Sequence, residues 1–315
     1  MIIDAHCDVL CKLFLRPDIG FTDEAGLDVN LQRLMQAGAL LQCFAVYLPE
    51  AAEPHSFGHV LRQIQLFHDK VLQHPEMVFV RTADDLRRTV PGKRIGAMLT
   101  LEGADGLQGQ PELVRTLFDL GVRCLQPTWN YANWAADGVL EPRNAGLSVR
   151  GMRLVDECSR VGMILDMAHL GERGFWEAAS RYGRPFIVSH ANARAVCDHP
   201  RNLDDRQIGA VIQSGGLIGI TFVPPFLHSS GTAGIDDVIR HIEHICALGG
   251  ERHLMLGSDF DGIDRWVNGL RHPGQIHALI EALERRFPAA TVEGICWNNA
   301  YRFFQRHLPQ GHAAA

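Results

Sequence analysis

His6 and Asp8 stand two residues apart at the end of a short apolar run, Met1-Ile2-Ile3-Asp4-Ala5-His6-Cys7-Asp8. Side chains two apart on a strand share a face. A strand here therefore presents His6 and Asp8 side by side and turns Cys7 away. Neutral imidazole and carboxylate are both good ligands for zinc-like ions. A His-x-Asp pair alone is weak, because so short a pattern recurs by chance. Further apolar runs end the same way, and that gives the pair its weight. Glu102 follows residues 94–100, His169 follows 163–167, His190 closes 185–190 and Asp259 follows 254–258. With 16 histidines in the chain, one at a strand end means little. Three of them joined by three acids point to a metal site.

The number of ligands suggests two ions. Six nitrogen and oxygen groups exceed what one tetrahedral zinc takes, and a carboxylate in the middle can bridge a pair. Barrel hydrolases of this general kind sometimes bridge with a modified lysine. The only lysines are Lys12, Lys70 and Lys93, and none ends a strand. Glu102 is therefore the candidate bridge. Two ions about 3.5–4 Å apart can hold a shared hydroxide and polarise a carbonyl.

Such a site needs strands that open at one mouth. Apolar runs at 2–8, 40–48, 94–102, 124–128, 163–167, 185–190, 217–222 and 254–258 read as strands. Helical stretches lie between most of them: 31–38 behind the cap Asn30, 60–72, 111–120, 148–161, 174–182, 204–214 and 235–248. Residues 77–80 read as an extra strand off the main pattern, and 131–145 as an irregular loop. Two helices close the chain from about residue 273. Eight strands alternating with helices, with no linker-like segment, argue an α/β fold: one (β/α)8 TIM-type barrel over residues 1–315. In such a barrel every strand's C-terminal end faces the same mouth, where active sites sit. The rival is a doubly wound open sheet, which is weakened because no glycine-rich phosphate fingerprint follows the first strand.

Composition narrows the class. The chain is 46% apolar and 21% charged, as globular proteins are. Its net charge of −6 and pI of about 6.2 show no basic excess for nucleic acid. Strand-like sequence from Ile2 leaves no place for a secretion signal. No apolar run approaches about 18 residues, and the tail from His307 is too short and mixed for a lipid-anchor signal. These features point to a cytoplasmic protein with no membrane partner, and they leave a homodimer open. Eight cysteines, at 7, 11, 43, 124, 158, 197, 246 and 296, contain no close CxxC and read as reduced, mostly core thiols. Cys7 and Cys11 are spaced like a redox or metal pair, but core packing is the better reading.

Six motifs in order resemble the membrane dipeptidase (renal dipeptidase) family of binuclear zinc peptidases. They are Asp4-Ala5-His6-Cys7-Asp8, Leu101-Glu102-Gly103, Asp166-Met167-Ala168-His169, Ser189-His190-Ala191-Asn192, Arg201-Asn202-Leu203-Asp204-Asp205 and Gly257-Ser258-Asp259-Phe260-Asp261-Gly262, across residues 2 to 304. Each is weak alone, and six in order are specific. The resemblance implies two Zn2+ per chain, with His6 and Asp8 on one ion, His169 and His190 on the other and Glu102 bridging. It implies that Asp259 is the acid/base and that Arg201 holds the substrate carboxylate. Family members cleave dipeptides, some with a D-residue at the C-terminal side, and some open β-lactams. The animal enzymes are secreted and lipid-anchored, whereas this chain looks like a soluble bacterial-type relative. The expected reaction is attack of a metal-bridging hydroxide on the peptide carbonyl of a free dipeptide. Another metal-dependent amidohydrolase, a lactonase or deaminase, is the same-fold alternative. A non-catalytic pathway homologue is the alternative from a different class.

One position departs from the family. Its members commonly carry a histidine at the end of strand four, in a Thr-His-Asn context, where it contacts the substrate carbonyl oxygen. Here the strand ends Pro127-Thr128-Trp129-Asn130. Indole offers one N–H donor and a broad apolar face but cannot carry a proton as imidazole can. Trp129 is expected to narrow the mouth. The alternative is that it packs on Trp134 while Asn130 or water takes the contact. Asp259 is preferred over Asp261 because it comes first after the apolar strand. Asp166 reads as a partner of a ligand or a barrel-interior acid. His241 and His244, three apart on a helix, read as a solvated face.

Overall fold

The computed structural model describes residues 1–49 and 52–311; the end of the tail, 312–315, lies outside the described residues. The strands are β1 (Ile2–Asp4), β2 (Ala39–Tyr47), β3 (Met77–Phe79), β4 (Ile95–Glu102), β5 (Val122–Gln126), β6 (Ile164–Leu165), β7 (Ile187–Val188), β8 (Leu217–Ile220) and β9 (Leu254–Leu256). Eight of them run parallel in the order β6-β5-β4-β2-β1-β9-β8-β7. A parallel bridge from Asp166 to Ile187 joins the two ends and nearly closes the barrel. β3 lies off this path and pairs with β4, as the extra strand expected at 77–80. Parallel strands covered on both faces read as continuous apolar runs. β4, Ile-Gly-Ala-Met-Leu-Thr-Leu-Glu, is buried along its whole length.

Packing divides into two layers. Ile3, Leu41, Cys43, Met98, Cys124, Ile164, Ile187, Leu217 and Met255 come from the eight barrel strands and join one cluster. Phe303, Phe304 and Leu308, at the end of the chain, belong to the same cluster. The other cluster joins alternate strand residues such as Phe44, Val46, Leu99 and Leu125 to the surrounding helices. Helix starts follow local chemistry. Ser148 accepts from the Gly151 N–H, and Asp204 forms a reciprocal cap with Gln207.

Three differences from the sequence reading matter. The strands near the mouth are shorter than expected: β6 and β7 have two residues each. His6, His169, His190 and Asp259 therefore sit on the segments that follow the strands. Second, a helix, Val9–Leu15, begins directly at Asp8. Seven residues are too few for an apolar period to show. Third, His241 is not solvated. It is fully buried on the stripe Val238, Ile242, Ile245 of the helix Ile235–Ala247. His244 is only partly covered and meets Asp205 at 2.7 Å. Among the described residues no helix is long and apolar enough to cross a membrane.

Candidate active site and metal centre

Each candidate ligand reaches the mouth by a local device. Past the end of β1 the chain stays extended beside the segment after β9, through a parallel bridge from Cys7 to Phe260. His6 and Asp8 face the mouth while the Cys7 thiol turns away toward the Cys43 carbonyl, at 3.3 Å. Asp4 clasps the two segments where the ladder ends. Its carboxylate accepts from the Ser258 N–H at 2.9 Å and the Ser258 hydroxyl at 2.5 Å. Asp166 does the same across the closing seam, accepting from the N–H groups of Ser189 and Ala168 and from the Gln126 amide. Burial foremost raises the pKa of both acids against those hydrogen bonds. Among the described residues neither falls in a metal-capable cluster; both bond across gaps between the segments.

His169 and Asp259 are held in the left-handed region, with φ of 68° and 66°. A non-glycine residue there costs about 1–3 kcal/mol, a strain that clusters at functional sites. Asp261 shares that conformation, with φ of 69°, but serves another purpose. Its oxygens accept from Lys12 Nζ and from the N–H groups of Asp28 and Val29, each at 2.8 Å. Asp259 is thus free to face the site while Asp261 is tied to the wall. Gly262 is required by close approach: a Cβ there would lie 2.3 Å from Asp8 Oδ2 and 2.7 Å from Asp259 Oδ1.

The side chains converge in three overlapping groups whose ligand atoms lie within 4.8 Å of one another: His6/Asp8/Glu102, Glu102/His169/His190 and His6/His190/Asp259. Glu102 is central. Its Oε2 lies 3.3 Å from His6 Nε2, and its Oε1 lies 2.9 Å from His169 Nε2 and 3.6 Å from His190 Nε2. Asp8 and Asp259 approach His6 Nε2 to 3.4 and 3.7 Å. The second imidazole pair is fixed from behind. His169 Nδ1 meets Asn130 Oδ1, and His190 Nδ1 meets Ser189 Oγ, each at 2.8 Å. An amide oxygen accepts only, so His169 carries its proton on Nδ1 and turns a bare Nε2 inward.

That arrangement suits cations. His169 Nε2 and His190 Nε2 face each other at 2.8 Å beside a carboxylate. Neither nitrogen of buried His6 has a hydrogen-bond partner, nor has Asp8 Oδ1. Buried polar atoms without partners cost free energy unless something binds them. Burial, with the charge of Arg201 next, pushes the His169 pKa down to about 3, and burial holds His190 well below its usual range. Glu102 resists the effect of burial, because His6 and His169 hold it below the usual carboxylate range. Neutral His169 and His190 beside an ionised Glu102 are the forms that metal binding requires, whereas His6, held against burial well above its usual range by Glu102 and Asp8, gives up its proton when an ion binds. The nitrogen and oxygen donor set suits a divalent first-row metal ion.

A cavity of about 380 Å³ opens on this cluster. Trp129 lines it and packs between Tyr47 and His169, with ring centroids 5.3 and 5.9 Å away. Trp134 is engaged elsewhere, its indole N–H donating to the Ala104 carbonyl. Arg201 is buried at the cavity edge, with Nη2 3.1 Å from His169 Nε2 and 3.2 Å from the His190 carbonyl. Its Nε has no partner. Asn130 also lines the cavity, but its oxygen is spent on His169. Sequence reasoning missed Asp4, Gln126, Ser189 and Phe226. An acid two or three residues ahead of a strand-end histidine, at Asp4 and again at Asp166, is the signal that marks the clasps.

The family model described as Membrane dipeptidase (Peptidase family M19) matches residues 1–310. Dipeptidase aclJ of Aspergillus oryzae is 30% identical over 324 residues, covering 96% of this chain and 76% of that protein. An uncharacterized dipeptidase of Schizosaccharomyces pombe is 34% identical over 224 residues, covering 70% of this chain and 55% of its own length. A crystal structure of the metallopeptidase dipeptidase AC superposes with a TM-score of 0.89 at 26% identity, covering 98% of both chains. A Rhodobacter sphaeroides metallopeptidase, liganded with a phosphinate mimic of the dipeptide L-Ala-D-Ala, superposes with a TM-score of 0.86 at 25% identity, covering 97% of this chain and 99% of that one.

Proposed function

This chain belongs to the membrane dipeptidase family, and from that premise we propose that it is a binuclear zinc dipeptidase acting on free dipeptides, L–D pairs included. The observation that carries the reading is the convergence of three imidazoles and three carboxylates on one buried point beside a cavity of about 380 Å³. His6 and Asp8 would hold one ion, His169 and His190 the other, and Glu102 lies where it would serve both. When bound, the ions supply an activated water and polarise the scissile carbonyl. Arg201 receives the substrate carboxylate, for which a planar guanidinium is suited. Asp259 takes the proton from the attacking water and delivers it to the leaving amine. Eight unpaired cysteines suit a reducing compartment, and we place the protein in the cytoplasm.

The test is zinc analysis joined to a substrate panel. The protein should carry two zinc ions per chain, hydrolyse dipeptides, lose activity to a chelator and regain it with zinc. Lactones and aminated bases should be poor substrates. Zinc-loaded protein that leaves every dipeptide intact overturns the reading.

Trp129 sets the breadth of that specificity. Its ring stands against His169 at the cavity wall, so it narrows the space near the scissile bond and favours small side chains there. Trp129→His should widen the range of dipeptides cleaved while keeping activity. An unchanged dipeptide profile removes Trp129 from the substrate site.

A further inference from the structure

His241 lies outside the catalytic cluster and is fully buried, yet its two ring nitrogens join two segments that build the substrate cavity. Nδ1 accepts from the Ala193 N–H at 3.1 Å, and Nε2 donates to the Leu227 carbonyl at 3.1 Å. The Nδ1 partner is a donor, so Nδ1 is bare and the proton sits on Nε2. Burial favours that neutral ring, pushing the pKa down to about 4.

Ala193 begins the loop that carries Arg201 and returns to bridge with Leu203. Leu227 ends the short helix Pro224–Leu227, whose Pro224 and Phe226 line the cavity. Asn202, next to Arg201, ties the same two segments. Its amide donates to the carbonyls of Cys197 and Phe226 at 2.8 Å, and its oxygen accepts from the Asn192 N–H. The Arg201 guanidinium sits 5.5 Å over the Phe226 ring. Arg201 Nη2 is held by His169 and the His190 carbonyl while its Nε has no partner, so the loop that carries it and the ring beneath it help to decide where the guanidinium stands.

We propose that His241 is a positioning residue for substrate recognition: by linking Ala193 to Leu227 it fixes the Arg201 loop against the Phe226 wall. The inference rests on the reading of Arg201 as the anchor of the substrate carboxylate. Leucine at 241 fills similar space but leaves the Ala193 N–H and the Leu227 carbonyl unpaired. Glutamine can offer both an oxygen and an N–H, whereas asparagine is too short to reach both partners.

The experiment measures KM and kcat of the zinc-loaded enzyme for a free dipeptide and for its C-terminal amide, which has no carboxylate. Arg201→Met should raise KM for the free dipeptide by about 10–100-fold, the range expected for a charged hydrogen bond, and leave the amide little changed. His241→Leu should show the same preference at about 10-fold, with kcat nearly unchanged, and His241→Gln should restore KM. If His241→Leu does not accumulate as folded protein, His241→Asn carries the same expectation. If Arg201→Met discriminates between the substrates and the leucine or asparagine variant does not, the positioning role is overturned alone. If Arg201→Met affects both substrates equally, the carboxylate reading fails and takes this inference with it.

Discussion

Asp259→Asn should leave two metal ions bound and lower turnover by about 10²–10⁴-fold, the usual contribution of a general acid or base. The geometry separates this residue from the other carboxylates of the mouth. Asp8 and Glu102 crowd His6 Nε2 at 3.4 and 3.3 Å, whereas Asp259 stands at 3.7 Å and has the most exposed side chain of the three, 16% against 9% and 4%. Burial and the charges of Asp8 and Glu102 push its carboxyl well above the usual range, against the pull of His6 and Arg201. An acid so placed keeps its proton to higher pH than an ordinary surface aspartate. Asparagine keeps the shape and removes the proton acceptor. The check is kcat beside metal content for the same preparation. Near-normal turnover would remove Asp259 from proton transfer. Asp261 could not simply replace it, because its oxygens are committed to Lys12, Asp28 and Val29.

Much of this site was legible in the sequence because a parallel barrel is simple to read. Its strands are buried on both faces, so they stand out as apolar runs, and chemistry gathers where the runs stop. Glu102 ends β4, where the pattern places it. The parity argument for His6 and Asp8 held although β1 stops at Asp4, because the backbone stays extended to pair with Phe260. What stayed hidden depends on partners far away along the chain. The clasp between Asp4 and Ser258 joins residues 254 positions apart. The tautomer of His169 is set by Asn130, 39 positions away along the chain. His241 looked solvated because its own helix gives no sign that two loops descend on it. The divergence of Asp259 and Asp261 comes from left-handed backbone, which no side-chain pattern reports.

Glu102→Gln should lower the occupancy of both metal sites and remove nearly all activity. The reason lies in the two oxygens. One faces His6 and the other faces His169 and His190, so a single carboxylate serves both halves of the site. An amide presents one oxygen and one N–H₂ group, and the latter cannot ligate. Asp8→Asn is the control, since Asp8 approaches only the His6 half; it should lower occupancy of one site and spare the other. Stability separates loss of metal from loss of fold. Even without metal, His6 and His169 hold the buried Glu102 carboxylate ionised, and removing one partner of such a group destabilises, so the metal-free Gln variant should melt somewhat below metal-free wild type. Zinc should raise the thermal midpoint of wild type, because a ligand that binds the folded state stabilises it. It should raise that of the variant far less. A Gln variant that retains two ions would mean that Glu102 does not bridge, and the nitrogens of His6 would then need another ligand to share.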